Sequence, residues 1–131
     1  MAEEYEIVDI WVGSFDSQEV LDAYMEETYS EDEDDEEPIC EFAAGQGETF
    51  LDHDLLESAV HETSSSFREL VKDHSFSASY VEAGEAAFAE KEVVEANTVL
   101  LVFGGEISAP VSVSGEGFSL TYLGRFPCSD R

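Results

Sequence analysis

Three histidines and two cysteines, set among 32 carboxylates in 131 residues, are the side chains that could do chemistry here. The most ligand-like grouping is Asp52-His53-Asp54 with Glu57 and His61. On a helix, Asp54, Glu57 and His61 would share a face through i, i+3, i+7 spacing, and carboxylate with imidazole can hold a metal ion. Acids this numerous, however, fall beside a histidine by chance. A Cys–His nucleophile pair could be drawn from Cys40 or Cys128 and any of His53, His61 and His74, but an acidic field raises a thiol's pKa rather than lowering it. No GxGxxG, P-loop or GxSxG motif occurs, and the acidic run from Glu31 lacks the spaced Asp-x-Asp-x-Asp-Gly of an EF-hand. The expectation is no enzyme, no metal and no cofactor.

The unusual segment is Glu31-Asp32-Glu33-Asp34-Asp35-Glu36-Glu37, seven acids in a row closed by Pro38. Like charges at every position cannot pack, so the run reads as a solvated loop. It either serves solubility or meets a basic partner, with nearby Tyr24, Tyr29, Phe50 and Trp11 as candidate aromatic anchors. Trp11, on an otherwise apolar strand, is more simply a core residue.

Charge sets the wider bounds. Five Lys and Arg against 32 Asp and Glu give a formal −27. Direct binding to a phosphate backbone needs Lys and Arg to replace counterions, so nucleic acid is excluded as a partner. Anionic membrane is disfavoured on the same ground. Disorder is not implied: Leu, Ile, Val and Phe supply 34 residues, about a quarter, above the roughly 20% below which disorder is expected. A single domain spanning 1–131 is expected from length. No signal peptide or stretch of 18 apolar residues is visible, and a cytoplasmic protein with unpaired thiols is expected.

The elements follow from apolar spacing. Tyr5 to Val12 reads as a strand with Val8, Ile10 and Val12 on one face and Tyr5, Ile7 and Trp11 on the other, broken by Gly13-Ser14. Two apolar faces imply a central position. Asp16 with Glu19 suggests a capped helix running to about Tyr29, burying Val20, Leu21, Tyr24 and Thr28. Ile39 to Ala44 forms a helical turn that anchors Phe42. Ser66 and Glu69 fit a capping box ahead of Phe67, Leu70 and Val71. A helix from about Ser77 to Glu92 carries Tyr80, Val81, Gly84, Ala87 and Phe88. Thr98 to Phe103 reads as a second central strand. Ile107 to Val113 alternates but contains Pro110, which makes it an edge strand. Phe118 to Leu123 is the last strand. The class is α+β, with a mainly antiparallel sheet of three to four strands and helices on at least one face.

Ile10-Trp11-Val12-Gly13-Ser14-Phe15, a helix ending at Tyr29, and an acidic loop open a recognisable order of pieces. Phe42 before Gly45, Asp52-His53-Asp54-Leu55-Leu56-Glu57, His74-Ser75-Phe76-Ser77 with Tyr80, Asn97-Thr98-Val99-Leu100 and Tyr122-Leu123-Gly124-Arg125-Phe126 complete it. In this order, from about Ile7 to Phe126, the chain resembles the immunity protein 22 family of bacterial polymorphic toxin systems. The resemblance implies a small cytoplasmic α+β protein that neutralises a cognate toxin. It implies no catalytic residues. A toxin with a basic active site, such as a nuclease, would complement the acidity. The partner-binding residues expected are Glu31, Asp32, Glu33, Asp34, Asp35, Glu36, Glu37 and Tyr29, with Asp52, Asp54 and Glu57 as a second patch. Rival readings are an acidic DNA mimic that binds a nucleic-acid-binding protein, a metal-dependent enzyme using Asp52, Asp54, Glu57 and His61, and an acidic scaffold adapted to high salt.

Overall fold

A computed structural model describes residues 7–26, 40–48, 56–72, 74, 77–91, 96–104, 107, 110–115 and 117–127. Within them the chain runs β1 (Ile7–Phe15), α1 (Gln18–Met25), α2 (Glu41–Gly45), β2 (Leu56–Ser65), α3 (Phe67–Val71), α4 (Ser77–Glu90), β3 (Ala96–Phe103), β4 (Val113–Gly115) and β5 (Phe118–Pro127). The strands form one antiparallel sheet in the order β2-β3-β1-β5-β4. The class is α+β as expected. The described strands number five rather than three or four, because Leu56–Ser65 adds an edge that the sequence reading had not counted as a strand.

The two strands with apolar residues on both faces lie side by side inside the sheet, Val8 to Gly13 facing Phe103 to Thr98. Val8, Ile10, Val12, Val99 and Leu101 point toward α3 and α4, where Phe67, Leu70, Val71, Tyr80 and Phe88 close one core. Trp11, Phe15, Leu100 and Val102 point the other way, to Leu21, Tyr24, Phe42 and Ala43 of α1 and α2. Helices thus cover both faces, and burial from both sides is what selects apolar side chains on both faces of these strands.

Gly13 does not break β1. The strand continues to Phe15, and a Cβ at Gly13 would fall 1.9 Å from the Ser119 carbonyl oxygen of β5. Glycine is there for close backbone approach rather than for a turn. Asn97 reinforces this end: its side chain accepts from Phe15 N at 3.1 Å and donates to Phe15 O at 3.0 Å, extending the ladder through an amide.

The caps differ in part from the expectation. α1 is capped by Ser17, whose Oγ accepts from Val20 N, while Asp16 N donates to Gly117 O. α1 ends at Met25, where Glu26 turns to an extended backbone; Thr28 and Tyr29 lie outside the described residues. α2 is capped by Cys40, whose Sγ accepts from Ala43 N at 3.4 Å. Ser66 caps α3 with Glu69 N as donor, as the capping-box spacing predicts. The edge strand expected over Ile107 to Val113 is not formed as read: of its described residues, 107 and 110–113, only Val113 enters a strand, at the edge. Val111 is held instead by the side chain of Gln46, which donates to its carbonyl at 2.9 Å and accepts from its amide at 2.7 Å. A side-chain amide here does the work of a ladder partner.

Candidate functional site: an acidic, aromatic-floored groove

Of the residues expected to bind a partner, Glu31 to Glu37, Tyr29, Asp52 and Asp54 lie outside the described residues, as do His53, Phe50 and Cys128. Glu57 is described. It sits on β2 opposite Leu101, so it faces α3, and its Oε1 is 3.0 Å from His74 Nδ1. His61 follows four residues on along the same strand, just past Val60, where the pairing with β3 becomes irregular. Its spacing from Glu57 is therefore that of a strand and not of the expected helix. Its Nε2 is, among the described residues, the buried side-chain nitrogen or oxygen without a hydrogen-bond partner. The described residues contain no grouping of three His, Cys, Asp or Glu able to hold a metal.

Tyr24 is placed on the opposite side of the sheet. It belongs to a run of rings built from four elements. Trp11 meets Phe42 edge-on with centroids 5.1 Å apart, and lies 4.9 Å from Tyr122. Phe15 stacks on Phe118 at 5.0 Å, and Tyr24 packs against Phe118 at 4.6 Å and Phe42 at 6.0 Å. Such offset and edge-to-face pairs add about 0.5–1.5 kcal/mol each beyond area burial. Trp11 is wholly buried, a core residue and not an anchor, with its Nε1 donating to Val111 O at 2.9 Å.

Where this aromatic layer reaches the surface it leaves an open groove of about 320 Å³. Ser17 comes from the start of α1, Val20, Ala23 and Tyr24 from the helix itself, Phe118 from β5, and the acids Glu19 and Glu41 from the two helices. Burial, and then the neighbouring Cys40 and Glu41, push the Tyr24 phenol above its ordinary range, so the ring stays neutral.

Charge is unevenly divided between the helical layers. α1, α2 and their flanks carry Asp16, Glu19, Asp22, Glu26 and Glu41 and no Lys or Arg. α3, α4 and the residue after each carry Arg68, Lys72 and Lys91 beside Glu69, Glu82, Glu85 and Glu90. Arg68 pairs with Glu85 at 2.7 Å and Lys72 with Glu69 at 2.9 Å. Arg125 is committed to Asp9. The groove's acids thus have no cation of this chain among the residues that line it.

The polar centre that sequence reasoning missed is Asp9 with Tyr122 and Arg125. Asp9 is wholly buried on the α1–α2 side of β1. Arg125 donates from Nε to Oδ1 and from Nη2 to Oδ2, both at 3.0 Å, and Tyr122 donates its hydroxyl to Oδ1 at 2.6 Å. An irregularity makes this possible: Ile10 faces Gly124 but Trp11 faces Tyr122, so β5 carries Leu123 as an extra residue. Asp9, standing alone in an apolar strand, was the available signal. The centre is framework, since Asp9 is sealed and its partners are spent on it.

Fold and groove together define an acidic α+β protein with an aromatic-floored groove at its surface. The family described as Immunity protein 22 matches residues 8–127, and the chain belongs to that family. Such a family is one of toxin-neutralising proteins, generally non-catalytic, and membership implies a partner toxin. No curated protein and no solved structure matches the chain. Among the described residues, no helix is long and apolar enough to cross a membrane.

Proposed function

We propose that this protein acts in the cytoplasm as the immunity partner of a polymorphic toxin with a basic active site, such as a nuclease, and that its acidic surface occludes that site. The observation that carries the reading is the α1–α2 layer, which holds Asp16, Glu19, Asp22, Glu26 and Glu41 and no cation among its described residues, with Glu19 and Glu41 lining an aromatic-floored groove. The acidic run Glu31 to Glu37 falls in the sequence between those two helices. That run and Tyr29 supply the first contact in this reading, with Asp52, Asp54 and Glu57 as a second acidic patch. Opposed charges steer encounter and fix orientation more than they set the lifetime of the complex. An inhibitor that must forestall single lethal turnovers needs a Kd of about 1 nM or below, equivalent to roughly −12 kcal/mol.

The test is association kinetics against the product of the toxin gene beside this one, across a salt series. Changing Glu31, Asp32, Asp34 and Asp35 together to Asn or Gln is expected to slow association about tenfold at low salt, where exposed charges are least screened. An unchanged on-rate and salt slope would reduce the acidic run to a solvated spacer.

A further inference from the structure

The groove admits a narrower statement, which rests on the toxin-neutralising reading. We infer that it receives one arginine side chain of the partner toxin. At about 320 Å³ it lies at the bottom of the range for small-molecule sites, roughly 300–1,000 Å³. It is open to solvent, so it suits a single projecting side chain better than a whole ligand. Val20 and Ala23 offer an apolar wall for a methylene stem. Phe118, partly exposed and backed by the buried Tyr24 ring 4.6 Å away, offers ring surface to a cation. Glu19 and Glu41, both exposed and on separate helices, offer carboxylates from two directions. Guanidinium matches this set where ammonium does not: it is planar, weakly hydrated, stacks on rings and carries five donors in a fork. An anion is refused by the same two carboxylates.

The experiment measures the affinity of the full chain for the toxin encoded beside it, at about 150 mM salt so that long-range attraction is screened. Ala23 is exposed, so Ala23→Arg fills the groove with a cation at little cost to folding. Glu19→Gln with Glu41→Gln removes the groove's negative charges, and Glu82→Gln with Glu90→Gln on α4 makes the same charge change elsewhere. Ala23→Arg is expected to weaken binding at least 100-fold and the groove pair at least tenfold, with the α4 pair within threefold. Replacing one toxin arginine by Ala should lose most of its effect in the groove-pair background. Groove variants that match the α4 pair overturn the inference and leave the toxin reading standing. Coupling to a toxin lysine alone overturns the choice of arginine. Failure of the unmodified chain to bind the toxin overturns the reading itself.

Discussion

The guanidinium of Arg125 spans the carboxylate of Asp9, one nitrogen to each oxygen at 3.0 Å, with Asp9 fully buried and the Arg125 side chain 40% exposed. Nη2 also donates to Ile107 O at 2.8 Å, so the same side chain ties β1 to the stretch before β4. Removing one member of such a pair leaves a charge buried without its counter-ion. Arg125→Ala is expected to cost about 3–5 kcal/mol, read by urea unfolding. In an Asp9→Asn background the same substitution should cost much less, because no stranded carboxylate remains. Equal costs in both backgrounds would mean that Arg125 acts through packing alone.

Two glycines separate backbone from side-chain obstruction. At Gly13 an added Cβ meets the Ser119 carbonyl, and at Gly84 it meets the Phe67 ring at 2.2 Å. Overpacking costs about 1–3 kcal/mol. Gly84→Ala should be largely rescued by Phe67→Leu, which gives the methyl room. Gly13→Ala should resist rescue by any change at Ser119, since the obstructing atom belongs to the main chain. Thermal melts of the single and paired variants check both.

Alkaline pH should destabilise the fold. Burial, with the charges of Cys40 and Glu41, raises Tyr24; burial, with the hydrogen bond to Asp9, raises Tyr122. Unfolded phenols ionise near pH 10, while the folded ones keep their protons. Their stabilisation is therefore full below about pH 10 and is lost as pH rises through the folded values. Stability measured from pH 9 to 11.5 should fall, and the fall should be shallower in Tyr24→Phe with Tyr122→Phe. An unchanged slope would remove these two phenols as its cause.

A formal charge of −27 repels itself. Raising salt from about 10 to 150 mM shortens the screening length from roughly 30 to 8 Å. The melting temperature should therefore rise with sodium chloride, and the variant neutralised within Glu31 to Glu37 should start higher and respond less.

The strands legible in the sequence are those whose burial is two-sided. β1 and β3 are apolar at odd and even positions alike, and that pattern has one placement, inside the sheet. β2 was not legible. Its inward residues on the α1–α2 side, Leu56 and Val60, are four apart, and four is a multiple of the strand period as well as nearly one helical turn. Glu57 and His61 share the ambiguity. Ile107 to Val113 misled in the opposite direction, because alternation reports exposure and Gln46 had taken the place of a partner strand. The groove was half legible: the spacing reads Tyr24 as a buried residue of the first helix and a candidate anchor, but Phe118 reaches it only through the pairing of β5 with β1.

The extra residue at Leu123 has a consequence for parity. Along a regular strand Tyr122 and Arg125, three apart, would stand on opposite sides, yet both meet Asp9. Phe126 can then enter the α3–α4 core beside them. Deleting Leu123 would leave Tyr122 and Arg125 two apart, so regular alternation would keep both on Asp9's side; the loss would fall instead on the α3–α4 core, which Leu123 helps to fill. What this strand must keep is the shared side of Tyr122 and Arg125, which an odd spacing with one bulge or an even spacing with none can each supply.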